Sequence, residues 1–99
     1  MKKSKVIVLT GASSKIGYEL SLALGKAGYR LILQYHSNQE KINFLSKELE
    51  KLGTDAKFFK ADFTSSKELG KFIEFSKEAF GEIDCLINNA SFWPNADKI

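Results

Sequence analysis

Four short runs dense in β-branched and aromatic residues recur along the chain at intervals of about 26 residues: Val6 to Thr10, Leu31 to Tyr35, Ala56 to Lys60 and Ile83 to Asn88. Each predicts a β-strand. Val6-Ile7-Val8-Leu9 and Leu31-Ile32-Leu33 are almost unbroken apolar stretches, which suits strands covered on both faces and therefore a parallel sheet. Between the runs the apolar spacing becomes helical. Ile16, Leu20, Ala23, Leu24 and Ala27 form one stripe, stopped by Gly28. Ile42, Leu45, Leu49 and Leu52 form a second, opened by Ser37-Asn38-Gln39-Glu40 with capping-box spacing and closed by Gly53. Leu69, Phe72, Ile73, Ser76 and Phe80 form a third, with a box at Ser65-Ser66-Lys67-Glu68 and a stop at Gly81. The order βαβαβαβ, joined by right-handed crossovers, predicts an α/β fold: the first half of a doubly wound parallel sheet with strand order 3-2-1-4.

Ninety-nine residues, 43% hydrophobic and 27% charged, fit one ordinary globular domain over residues 1–99 and exclude disorder, collagen and coiled coil. Residues 89–99 offer no further strand or helix and read as a loop cut short after the fourth strand. No apolar run approaches the roughly 18 residues of a membrane span, and Val6 to Leu9 is too short for a signal peptide, so a cytoplasmic location is expected. With one Cys and one His there is no metal site to predict, and Cys85, inside the apolar run Ile83 to Ile87, is expected to pack as a small hydrophobe. The net charge of +3 raises the question of nucleic acid. Lys41, Lys47 and Lys51 are interleaved with Glu40, Glu48 and Glu50, as on a solvated helix face, and this argues against a nucleic-acid patch.

The candidate chemistry begins where the first strand runs into Thr10-Gly11-Ala12-Ser13-Ser14-Lys15-Ile16-Gly17 and the first helix. Gly11 permits a tight turn and Gly17 lets the helix lie close to the strand. The free amides at the helix start, with the positive end of its dipole, can receive a pyrophosphate. The Gly-x-Gly-x-x-Gly form of this turn is absent.

Taken with Ala61-Asp62-Phe63 after the third strand and Asn88-Asn89-Ala90-Ser91 after the fourth, this turn resembles the short-chain dehydrogenase/reductase family over residues 5 to about 94. The resemblance implies a Rossmann-type fold in which Gly11, Ser13, Ser14, Lys15, Ile16 and Gly17 line the cofactor phosphates. It further implies that Asp62 and Phe63 flank the adenine, that Asn89 and Ala90 border the riboses, and that Asn88 helps fix the end of strand 4. Lys15 replaces the Gly of most members, as a basic residue does in the pteridine-reductase branch. Tyr35-His36-Ser37-Asn38 is similar to the segment by which that branch holds the 2′-phosphate of NADP, with Ser37 where its usual Arg stands. Ser91 in place of the commoner Gly, followed by Phe92, Trp93 and Pro94, adds to the likeness and leaves open whether Phe92 or Trp93 meets substrate.

The residues themselves favour NADP(H) over NAD(H). An acidic residue about 20 positions beyond the glycine turn would accept the ribose hydroxyls of NAD, and Gln34 to Asn38 contain none. Lys15 could place a point charge on a 2′-phosphate and His36 could donate to it. The family's chemistry needs a Tyr-x-x-x-Lys pair, but Tyr18, Tyr29 and Tyr35 are followed four places on by Leu22, Leu33 and Gln39, so no catalytic residue is assigned. The sequence therefore predicts the cofactor-binding portion of an NADPH-dependent reductase of carbonyl or pterin-like C=N substrates. The intact enzyme would take a small-molecule substrate and form a homo-oligomer, and the 99 residues alone would be inactive. A non-catalytic NADP-binding or interaction module is the rival.

Overall fold

The computed structural model describes residues 4–89. Their elements alternate as expected: β1 (Val6–Thr10), α1 (Lys15–Lys26), β2 (Arg30–Tyr35), α2 (Gln39–Lys51), β3 (Ala56–Lys60), α3 (Ser66–Ala79) and β4 (Cys85–Asn88). The four strands are parallel in the order β3-β2-β1-β4, with Val8 opposite both Ile32 and Leu86. Alternate residues of β1 and β2 feed two cores. Ile7, Leu9, Leu31, Leu33 and Tyr35 meet Ile42, Leu45 and Leu49 of α2 and the apolar side of α1. On the other face Val6, Val8 and Ile32 pack with Ala61 and Phe72, joined by Phe59, Phe63 and Phe75. The rings of Phe59 and Phe75 lie 4.8 Å apart, within the range of favourable aromatic pairs.

The helix ends follow local chemistry. Ser14 caps α1 by accepting from the Gly17 amide, and Ser65 caps α3 by accepting from the Glu68 amide. Glu68 does not complete a box with its own cap residue. Its carboxylate reaches further back and accepts from the Asp62 amide at 3.0 Å. The cap of α2 is Asn38, one residue later than the Ser37 box predicts, because Asn38 takes the left-handed conformation (φ 62°) in which its Oδ1 accepts from the Lys41 amide. Gly28, Gly53 and Gly81 all have positive φ just past the helices, as the stop signals imply.

Three expectations need correction. The buried seam of α1 is Gly17, Ser21 and Gly25, not the Ile16-Ala23-Ala27 stripe: Ile16 is 64% exposed, while Leu20 and Leu24 are only partly buried. Small residues win that seam because the helix approaches its neighbours too closely for larger ones. A Cβ on Gly25 would lie 2.7 Å from Leu49 Cδ2 and 2.8 Å from Thr54 Oγ1. Leu52 and Ile73 likewise turn to solvent at the edges of their stripes. The fourth strand begins at Cys85 rather than Ile83, since Asp84 ties the chain to β1 before the strand starts: its carboxylate accepts from the Val6 amide at 2.8 Å. Cys85 is exposed, not packed, because among the described residues β4 pairs only with β1 and little covers it.

A Cβ added to Gly17 would strike the carbonyl of Gly11 and come within 2.8 Å of Asn89 Nδ2. Backbone cannot yield as a flexible side chain does, so Gly17→Ala should destabilise the protein by at least about 1 to 3 kcal/mol. Thermal unfolding followed by circular dichroism measures this; an unchanged melting temperature would contradict the close packing.

Candidate functional site

At the carboxyl ends of β1, β2 and β4, a crevice of about 320 Å³ is lined by Gly11, Ser13, Ser14, Gln34, His36, Ser37, Asn38 and Asn89. It lies at the switch point of the sheet, where the connection after β1 leads to β2 on one side and β4 lies on the other. The glycine turn is held by three side chains, those of Ser14, Asn89 and Gln34. Gly11 takes a positive φ of 72°. The Ser14 hydroxyl donates to the Gly11 carbonyl at 3.0 Å while its oxygen accepts from the Gly17 amide at 2.9 Å. Asn89 Nδ2 donates to the same carbonyl at 3.1 Å and to Ser14 Oγ at 2.9 Å. Gln34 Oε1 accepts from the Gly11 amide at 2.8 Å.

Strand 4 is keyed to strand 1 at the same level. The Thr10 hydroxyl donates to Asn88 Oδ1 and accepts from the Asn89 amide, both at 2.9 Å. Asn88 thus sits at the end of β4 in a hydrogen bond across the sheet, and Asn89 connects that end to the glycine turn.

With Ser14 as the cap, the amides of Lys15 and Ile16 precede any intrahelical acceptor, so they add donors to the positive end of the α1 dipole. Lys15 and Ile16 are exposed beside the turn. These features fit a bound phosphate group: Gly11 carries no side chain, and the uncapped amides at the start of α1 follow the turn. Among the described residues no group of three His, Cys, Asp or Glu side chains could hold a metal ion, and no helix is long and apolar enough to cross a membrane.

His36, Ser37 and Asn38 line the crevice on the β2 side. Asp62 stands across from them, its Oδ2 3.6 Å from His36 Nε2. This carboxylate is held below the ordinary aspartate range, chiefly by the Thr64 hydroxyl donating to Oδ1, then by the Thr64 amide, with His36 a smaller influence. Phe63 points elsewhere: its ring packs against Phe72, 5.6 Å between centroids, and lines an apolar groove beside β4 instead of the crevice. Ala90, Ser91, Phe92 and Trp93 lie outside the described residues. Sequence reasoning missed the role of Gln34, although a polar residue inside a run as apolar as Arg30–Tyr35 was a signal.

A parallel sheet in the order β3-β2-β1-β4, whose first strand enters a helix through a glycine turn at the topological switch, defines a fold of the Rossmann class. Within that class the chain belongs to the short chain dehydrogenase family, whose family model matches residues 5–98. It is 34% identical over 94 residues to an uncharacterised oxidoreductase of Listeria monocytogenes, covering 95% of this chain and 38% of that protein. Among solved structures, an NAD+-bound xylitol dehydrogenase superposes with a TM-score of 0.81 at 29% identity, covering 93% of this chain and 35% of the other. A dehydrogenase-like protein of Burkholderia cenocepacia with bound NADP superposes at 0.77 and 26% identity, covering 86% of this chain and 33% of that one. The 99 residues thus span about a third of the length of these relatives.

The depressed Asp62 titration has a testable origin. Because its folded value lies below the unfolded one, the stabilisation this carboxylate gives is present above the ordinary aspartate range, near pH 4, and is lost as pH falls through the lowered value. Thr64→Val removes the hydroxyl donor and should move the Asp62 titration upward, read by carbon NMR of the carboxyl group. An unmoved titration would show that the hydroxyl is not the cause.

Proposed function

We propose that the chain is the cofactor-binding portion of an NADPH-dependent short-chain oxidoreductase that reduces a carbonyl or a pterin-like C=N bond. The observation that carries the cofactor preference is the crevice lining: Lys15 stands at the start of α1 beside it and His36, Ser37 and Asn38 are within it, while the end of β2 offers no carboxylate for ribose hydroxyls. The Asp62 carboxylate, 3.6 Å from His36, is already engaged by Thr64.

In this reading Gly11, Ser13, Ser14, Lys15, Ile16 and Gly17 form the pyrophosphate cradle, and Asp62, Asn89 and Ala90 face the adenosine and ribose portions. Ser91 would join them at the cofactor, and one of Phe92 and Trp93 would meet substrate. When bound, the nicotinamide group supplies the hydride. The 99 residues themselves bind and orient the cofactor, since they contain no Tyr-x-x-x-Lys pair to move a proton. The pterin preference rests on Lys15 and on Tyr35-His36-Ser37-Asn38. A small-molecule substrate, a homo-oligomeric assembly, a cytoplasmic location and no role for nucleic acid complete the proposal.

Titrating NADPH and NADH against the wild type and Lys15→Ala tests the cofactor choice. Tighter NADPH binding is expected in the wild type, with a loss of about tenfold for NADPH alone in the variant, the modest scale of an exposed charge on a phosphate. Equal NADPH affinity in both proteins would remove Lys15 from the site; equal affinity for the two cofactors in the wild type would overturn the preference.

A further inference from the structure

Gln34 is 3% exposed at the carboxyl end of β2, on the sheet face that carries Ile32 toward α3. Both ends of its amide are used. Oε1 accepts from the Gly11 amide, and Nε2 donates to the Ala61 carbonyl, each at 2.8 Å. Its main-chain carbonyl accepts from the Ala12 amide at 2.9 Å. One residue thus consumes two successive amides of the glycine turn and ties that turn to the segment entering Asp62, across β2. The amides left for an anion are then those further along, at the start of α1.

We propose that Gln34 is a positioning residue of the cofactor site: it sets the orientation of the glycine turn and the spacing between the phosphate cradle and the Asp62 side of the crevice. The inference rests on the dinucleotide reading above. It requires a side chain that accepts at one end and donates at the other, in a buried place where either group left unpaired is costly. Asparagine would be too short to span Gly11 and Ala61, and a carboxylate would present a second acceptor to the Ala61 carbonyl.

The requirement for a donor makes Gln34→Glu informative. As a neutral acid, glutamate reproduces both bonds, its hydroxyl donating to the Ala61 oxygen; ionised, it turns a negative oxygen on that carbonyl. Burial favours the neutral form and raises its titration. The groups that titrate around the same crevice are Lys15 from α1, His36 from the β2–α2 connection, and Asp62 with Glu68 from the β3–α3 segment. They are common to wild type and variant, so the ratio of the two proteins isolates position 34.

Binding of NADP+ should be measured by calorimetry, together with melting temperature, for wild type, Gln34→Glu and Gln34→Met. Near pH 8 the Glu variant should bind at least about tenfold more weakly than wild type, and near pH 5 within about twofold, with the gap in melting temperature closing in parallel. The Met variant, with neither donor nor acceptor of comparable strength, should stay weak throughout. A Glu variant that matches wild type at both pH values, or one equally weak at both, would overturn the proposal. If the melting gap closes at low pH but wild type binds no NADP+, the dinucleotide reading falls and Gln34 is left as a structural strut.

Discussion

The approach of α1 to the end of β1 is the contact on which the crevice depends. At Gly17 the helix lies so close to the Gly11 carbonyl that no side chain fits between them. That carbonyl accepts from both Ser14 and Asn89, so one oxygen gathers the helix cap and the end of β4. The close approach aims the uncapped amides of the first helical turn at the switch point of the sheet. Moving the helix outward would loosen the cap, the strand 4 connection and the direction of the dipole together.

The polar groups at this end of the sheet divide by burial. Thr10 and Gln34 are buried and hold strands and turns in register, with hydrogen bonds of 2.8 to 2.9 Å to Asn88, the Gly11 amide and the Ala61 carbonyl. Each would be expensive to leave unpaired, which makes this layer rigid. Lys15, His36, Ser37 and Asn38 are exposed and free of that task, apart from Asn38 capping α2. A rigid buried layer beneath adaptable charged groups is the arrangement that lets recognition of a phosphate change by substitution at the rim without disturbing the turn that places it.

The two faces of the sheet are unequally covered. One carries two helices over β1 and β2; the other carries α3, whose Phe72 and Phe75 pack against Phe59 and Phe63. Beside α3 an apolar groove of about 470 Å³ runs along β4, where Leu86 is 61% exposed. Among the described residues little covers β4, which is why Cys85, apolar by its surroundings in sequence, faces solvent.

Strand positions, the parallel order β3-β2-β1-β4 and the glycine turn were legible in the sequence because they depend on local period and on residues with special backbone freedom. The hydrophobic stripe of α1 misled, since periodicity cannot distinguish a face buried by large side chains from one buried by small ones pressed against backbone; only the packed helix showed that Gly17, Ser21 and Gly25 are the inner side. Gln34 was visible as an odd polar residue in β2, but its partners, Gly11 and Ala61, are 23 and 27 residues away. So is the meeting of Asp62 with His36 and the departure of Phe63 into the second core. By itself the sequence determined which segments form strands and helices and which turn can receive phosphate. The tertiary structure decided which polar side chains are spent holding that turn and which remain to meet a ligand, because hydrogen-bond partners distant in sequence exist only once the sheet has brought the strand ends together.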